Sequence, residues 1–208
     1  MTVKNIQIGA FGWQHSGWVD TYYPDDLPED WQLDFYSHHF AIVLVPESEW
    51  LQASEDEIEQ WLEDVNDGFE FLFAVNQSSI TEVVTKQLSV IKHKLAQNFA
   101  GIVVTPMQGN LEESDANRLK ALTPVYIDDA GSSADEYTSC WRKESLVKNA
   151  EIGFITLKDT DTLRDVRASI EAFLEQSGDQ QTAYMIFEGD SPSAKTMQDT
   201  QVVIQMLM

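Results

Sequence analysis

A chain of 208 residues with 43% hydrophobic content can bury one sizeable core, and this length calls for a single domain over residues 1–208. Thirteen basic against thirty-five acidic residues give a net charge of −22, and the imbalance is uneven. Lys4 is the lone cation against seventeen carboxylates in residues 1–85, which carry −16, while residues 86–208 carry −6. Such a chain repels phosphate backbones and anionic headgroups, so nucleic acid and membrane surfaces are excluded as expected partners.

The first residues, MTVKNIQIGAF, show neither a basic lead into an apolar core nor a small-residue cleavage site. A first strand is predicted at 6–9. It runs into an aromatic stretch holding Trp13, Trp18, Tyr22, Tyr23 and Trp31 beside Gly9, Gly12 and Gly17. Further strands are predicted at 40–45, 69–75, 101–105, 124–128, 152–157 and 183–187, seven in all. Most are continuously apolar, as parallel strands covered on both faces are.

Helices are predicted between the strands. Ser54 and Glu57 form a capping box ahead of an apolar face at Ile58, Trp61, Leu62 and Val65. Val84, Leu88, Ile91 and Leu95 make a second stripe, and Leu163, Val166, Ile170, Phe173 and Leu174 a third. The last helix is expected to start with Ser191 as cap and Pro192 at its first position. Cys140 is the only cysteine, so no internal disulfide forms, which fits a reducing cytoplasm. Strand–helix alternation means an α/β fold with a parallel sheet, either open or closed as a (β/α) barrel. A full eight-unit barrel takes about 250 residues, so a barrel here would be reduced to about seven strands.

The opening stretch resembles the YecE-like proteins, a TIM-barrel-like domain of unknown function. The likeness rests on Gly9, Gly12, Trp13, Trp18, Tyr22, Tyr23, Pro24 and Leu27, then on Tyr36, His39 and Phe40. It is strongest over 6–40 and patchy beyond, through Trp61 and the segments FLFAV, VYIDD and AYMIFEGD. Where such proteins usually carry a Glu and an Asn after the second strand, this chain has Leu44 and Pro46. Asn76 replaces a Lys, and Glu188, Gly189 and Asp190 replace an Asn-Asn-Asp-like cluster, while Asp128 is kept. The chain is thus identified as a shortened, divergent member with much of the family's polar constellation replaced.

In a barrel, loops following the strands build the site at the C-terminal rim. The candidate acid–base group is Asp128, assisted by His15, and the candidate ligand-binding residues are Trp13, Trp18, Tyr23, Glu188 and Asp190. Trp13 is expected to plug the barrel and Trp18 to expose a ring face, next to carboxylates that suit a small neutral or cationic ligand. Capping competes as the role of Asp190, and Asp129 stands beside Asp128. His38 and His39 are adjacent on a helix and point apart, unlike a metal pair at i and i+4, so His39 is read as structural and His38 as exposed. No nucleotide-binding or serine-hydrolase motif is present, and the cofactor stays unnamed. Two other readings stand beside ligand binding, a non-catalytic acidic interaction module that mimics nucleic acid and a metal-dependent barrel enzyme.

Overall fold

The computed structural model describes residues 5–106, 111–122, 124–128, 137–143, 145, 147–158, 161–178 and 181–207. Asp129 lies outside these described residues. The elements alternate from the start: β1 (Asn5–Phe11), α1 (Gln32–Ser37), β2 (Ile42–Val45), α2 (Glu47–Trp50), α3 (Glu55–Asp64) and β3 (Glu70–Val75). They continue with α4 (Glu82–Leu95), β4 (Phe99–Val104), α5 (Glu113–Leu119), β5 (Val125–Ile127) and β6 (Thr138–Ser139). The chain then forms β7 (Ile152–Thr156), α6 (Leu163–Gln176), β8 (Thr182–Glu188) and α7 (Ala194–Leu207).

All pairings are parallel, in the order β6-β5-β4-β3-β2-β1-β8-β7. A single bridge between Trp141 and Gly153 joins the two ends of that order. There the Trp141 N–H donates to the Ile152 carbonyl at 2.7 Å and the Phe154 N–H to the Trp141 carbonyl at 2.9 Å. The sheet is a TIM-barrel-like parallel barrel of eight strands, which corrects the expected seven. The strand that sequence reading missed is β6. Two residues long and polar, Thr138–Ser139 has no apolar run to betray it.

Residue parity sorts the side chains into two layers, because successive strand residues point to opposite faces. Ile42, Leu44, Leu72, Ala74, Val103 and Tyr126 fill the barrel with Cys140, Ile152, Phe154, Tyr184 and Ile186. Their neighbours Val43, Val45, Phe71, Phe73 and Ile102 face outward, onto Ile58, Leu88, Ile91 and Phe173 of the helices. At the N-terminal end the fill turns polar, where the Tyr126 hydroxyl donates to Glu151 at 2.8 Å and that of Tyr184 to Glu70 at 3.2 Å.

The helix grammar holds at α3, where Ser54 and Glu57 form the reciprocal capping box, and Val84, Leu88, Ile91 and Leu95 are the buried face of α4. The start of α7 differs. The helix begins at Ala194, and the Ser193 hydroxyl accepts the Thr196 N–H at 3.2 Å, so Ser193 is the cap and Pro192 precedes the helix. No described helix is long and apolar enough to cross a membrane.

One departure from regular alternation positions the site. Among the described residues of 140–151 none is helical, so β7 follows β6 without a crossover helix. Trp141, itself buried, packs there on Phe173 of α6, with ring centroids 5.7 Å apart.

Candidate functional site at the barrel mouth

Four strand ends place polar side chains at the C-terminal mouth by continuing the inward parity. Asp128 lies two residues beyond Tyr126, Arg142 two beyond Cys140, Thr156 two beyond Phe154 and Glu188 two beyond Ile186. They meet at one point. The Arg142 Nε and Nη2 groups donate to Asp128 Oδ1 and Oδ2, both at 2.7 Å. Nη1 and Nη2 donate to Glu188 Oε1 and Oε2 at 2.6 and 3.0 Å. The Thr105 hydroxyl adds a bond to Asp128 at 2.7 Å, and the Thr156 hydroxyl donates to Glu188. Below, the guanidinium carbon sits 4.7 Å from the Phe154 ring centroid.

Asp128 is 7% exposed, and Arg142 provides the charge that lets a carboxylate stay at such depth. Hydrogen bonding to Asp128 raises the Arg142 pKa beyond its ordinary range, with burial opposing and Glu188 adding to the rise. Among the described residues four of the five guanidinium N–H groups are engaged, and one on Nη1 has no partner. Asp128 and Glu188, which sequence reading proposed separately, are therefore joined by a residue it did not propose. Arg142 was legible in principle, since Cys140 and Arg142 share a parity. Without β6 as a strand, however, that parity had no meaning.

A cavity of about 500 Å³ opens beside this network, between the segment after β6, the end of β7 and the start of α6. Arg142, Lys143, Ser145, Thr156 and Lys158 give its polar lining, with Phe154, Leu157 and Val166 among its apolar walls. Asp161 and Asp165 also line it, but each is engaged locally. Asp161 accepts the Lys158 N–H at 2.9 Å, and Asp165 accepts the Thr162 N–H at 2.9 Å.

The aromatic residues are elsewhere. Trp18 was expected to expose a ring face, yet it is 2% exposed, and its indole N–H donates to the Pro192 carbonyl at 2.6 Å. Tyr22, Tyr23 and Tyr36 surround it, so the ring turns inward although Gln14, Ser16 and Gly17 before it are exposed. Tyr23 is buried as well, its hydroxyl donating to the Trp13 carbonyl at 2.6 Å. Trp13 follows the end of β1 as expected, but its ring lies in the helix layer, edge-on to Trp61 at 5.5 Å, instead of plugging the barrel.

His15 is half-buried, with Nδ1 3.2 Å from the Asp190 carbonyl and Nε2 buried without a hydrogen-bond partner. Burial lowers its pKa, against the pull of the Asp190 and Gly12 carbonyls. Among the described residues no hydrogen bond joins His15 to Asp128. Asp190 is exposed and lies upstream of the Ser193 cap, so its backbone contact with His15 replaces the expected capping role. Close by stands Glu49, a residue the sequence did not single out. Its Oε2 is buried without a partner, and burial pushes its carboxyl up to about 7. A Cβ on Gly12 (φ +86°) would come within 3.7 Å of Glu49 Oε1, so Glu49 and His15 both border this glycine.

His39 is half-buried against Tyr22, whose hydroxyl is 3.2 Å from Nδ1, and His38 is exposed, as expected. Cys140 is buried inside the barrel, where burial raises its thiol pKa far above the ordinary value. Among the described residues no group of three or more His, Cys, Asp or Glu side chains is placed to hold a metal ion.

The family model described as a protein of unknown function, DUF72, which is the YecE-like family, matches residues 7–114. The solved structure of a DUF72 family protein from Thermotoga maritima MSB8 is similar at 12% identity with a TM-score of 0.66. The match covers 97% of this chain and 99% of that one. A DUF72 family protein from Enterococcus faecalis V583 is similar at 13% identity with a TM-score of 0.66, over 96% and 95% of the two chains. At such identities the likeness shows the fold. None of the curated proteins matches.

Proposed function

This chain belongs to the DUF72 family, and we propose that it binds a small molecule at the C-terminal mouth of its barrel, in the cavity beside Arg142. The observation that carries this reading is the fixed guanidinium. Two carboxylates hold it in one orientation, and among the described residues one of its donors is unspent at the edge of a space of about 500 Å³. Preformed pockets with a few placed polar groups are the usual form of small-molecule sites. The expected neutral or cationic ligand gives way here to one carrying an acceptor, a carboxylate or a phosphate. Lys143 and Lys158 flank the same opening, and Phe154 and Leu157 suit an apolar body.

In this reading Asp128 and Glu188 are positioning residues that orient Arg142, and no reaction is assigned. The acidic first half supports the exclusion of nucleic acid as a ligand. A single, buried cysteine supports a cytoplasmic location.

Phenyl phosphate is a suitable probe, combining the anionic head with an aromatic body. It should raise the melting temperature of the wild-type protein in a saturable manner, whereas phenol and inorganic phosphate should do so only weakly. The Lys143→Ala/Lys158→Ala double variant should lose most of the shift. An equal shift in that variant, or none in the wild type across a panel of aryl carboxylates and phosphates, rejects the reading.

A further inference from the structure

A second cavity, of about 440 Å³, lies outside the barrel between the turn Glu29–Trp31 and α3. Three tryptophans line it, Trp13, Trp31 and Trp61. Trp31 is 62% exposed, which is a large apolar ring to leave in water, whereas Trp13 and Trp61 meet edge to face behind it. The charged lining is anionic: Glu29 and Asp30 come from the turn, Glu57 and Asp64 from α3, beside the neutral amides of Gln14 and Gln60. This is the aromatic-and-acid combination anticipated at the mouth, found on the outside instead.

Among the described residues no Lys or Arg lines it. No Lys or Arg occurs between Lys4 and Lys86. Lys94 does reach α3, but it pairs with Glu55 and Glu59, on a face different from Glu57, Trp61 and Asp64. The crowding is felt at Asp64, whose pKa is raised first by burial, against the Gln60 amide, and further by Asp34, Glu63 and Asp30. Asp30 and Asp64 line the same groove, one from the turn and one from α3.

We propose that this groove binds a linear polyamine, with its methylene segments along the tryptophan rings and its ammonium groups between the two carboxylate banks. Indole faces attract cations more strongly than other aromatic rings do, and they also cover apolar chain. A single ammonium would leave most of the four carboxylates uncompensated, which favours a ligand with several charges spaced along a chain. An inorganic divalent ion uses oxygen ligands and gains nothing from indole walls. The site is separate from the cavity beside Arg142, so either proposal can fail without the other.

Isothermal titration of the full chain with spermidine, at low ionic strength, tests it. Saturable one-site binding is expected, weakened tenfold or more by Trp31→Ala and likewise by Asp64→Asn. Glu113→Gln, an exposed carboxylate change on α5, should leave it unaltered. Because Trp31 is exposed, its removal leaves the core intact, and Trp31→Phe should keep part of the affinity. The proposal is overturned if Trp31→Ala binds as the wild type does, since the attraction is then only the general acidity of the surface. It is equally overturned if an oligolysine peptide binds tenfold more tightly than spermidine and depends on Trp31, which would make the groove a protein-docking surface.

Discussion

Two carboxylates at the barrel mouth, Glu49 after β2 and Asp128 after β5, have opposite fates. Glu49 is half-buried with no cation beside it, and its carboxyl is pushed up to about 7. Asp128 is 7% exposed, but Arg142 grips both its oxygens. The difference follows from where cations occur along the chain. The half from β1 to β3 contains no Lys or Arg, so it satisfies buried polar groups with neutral donors. The Tyr36 hydroxyl, for instance, accepts the Ala10 N–H at 2.7 Å and donates to the Ile42 carbonyl at 2.9 Å. The half from β5 to β8 has arginine and lysine available, and it builds its mouth from ion pairs beside an open cavity. One half is sealed by aromatic rings, and the other is held by charge.

The sharpest way to break the contrast is to open the aromatic seal. Trp18→Ala removes a fully buried indole enclosed by three tyrosines and should cost about 3–5 kcal/mol of stability. Chemical denaturation measures it, and a loss under 1 kcal/mol would mean that Trp18 is not part of the seal. In the charged half, Arg142→Ala strands Asp128. Breaking a buried pair costs about 3–5 kcal/mol, and because the Arg142 side chain is one-third exposed, water can enter and reduce this to about 2–3 kcal/mol. The double variant Arg142→Ala/Asp128→Asn should recover part of that loss, whereas additive losses would separate the two residues.

Tyr36→Phe is the neutral counterpart. It leaves the Ala10 N–H without its acceptor in a fully buried position, at about 1–2 kcal/mol, with little dependence on salt. The smallest effect is at Glu49. A carboxyl whose folded pKa lies above the unfolded one favours the protonated native state, so its contribution is complete below the unfolded pKa and is lost as pH rises through about 7. Glu49→Gln should therefore match the wild type at pH 4 and exceed it at pH 8 by about 1 kcal/mol, a figure discounted for the partial exposure of this group. Equal melting temperatures at both pH values would show that Glu49 is not held out of water.

Much of the fold was legible because it depends on local periodicity. Seven apolar runs became β1–β5, β7 and β8, and Ser54 with Glu57 capped α3 as read. Strand β6 was not legible: its two polar residues are held only by backbone pairing with β5, which leaves no apolar pattern in the sequence. The site was legible to the same extent. Asp128 and Glu188 could be named at strand ends, but their joint partner Arg142 follows the unreadable strand. Trp18 was misplaced for a related reason: Ser16 and Gly17 are exposed as a loop would be, and only the Pro192 carbonyl ahead of α7 draws the ring itself inward.

The sequence by itself determined the alternation of parallel strands with helices and the uneven distribution of charge, since periodicity, composition and the order of cations are properties of the chain. Only tertiary structure decided which carboxylates are compensated and which cavity faces which charge. A carboxylate at the end of a strand can be buried and stay charged only if a cation from elsewhere reaches it, and here the bridge that closes the barrel at Trp141 carries the adjacent Arg142 to Asp128 and Glu188.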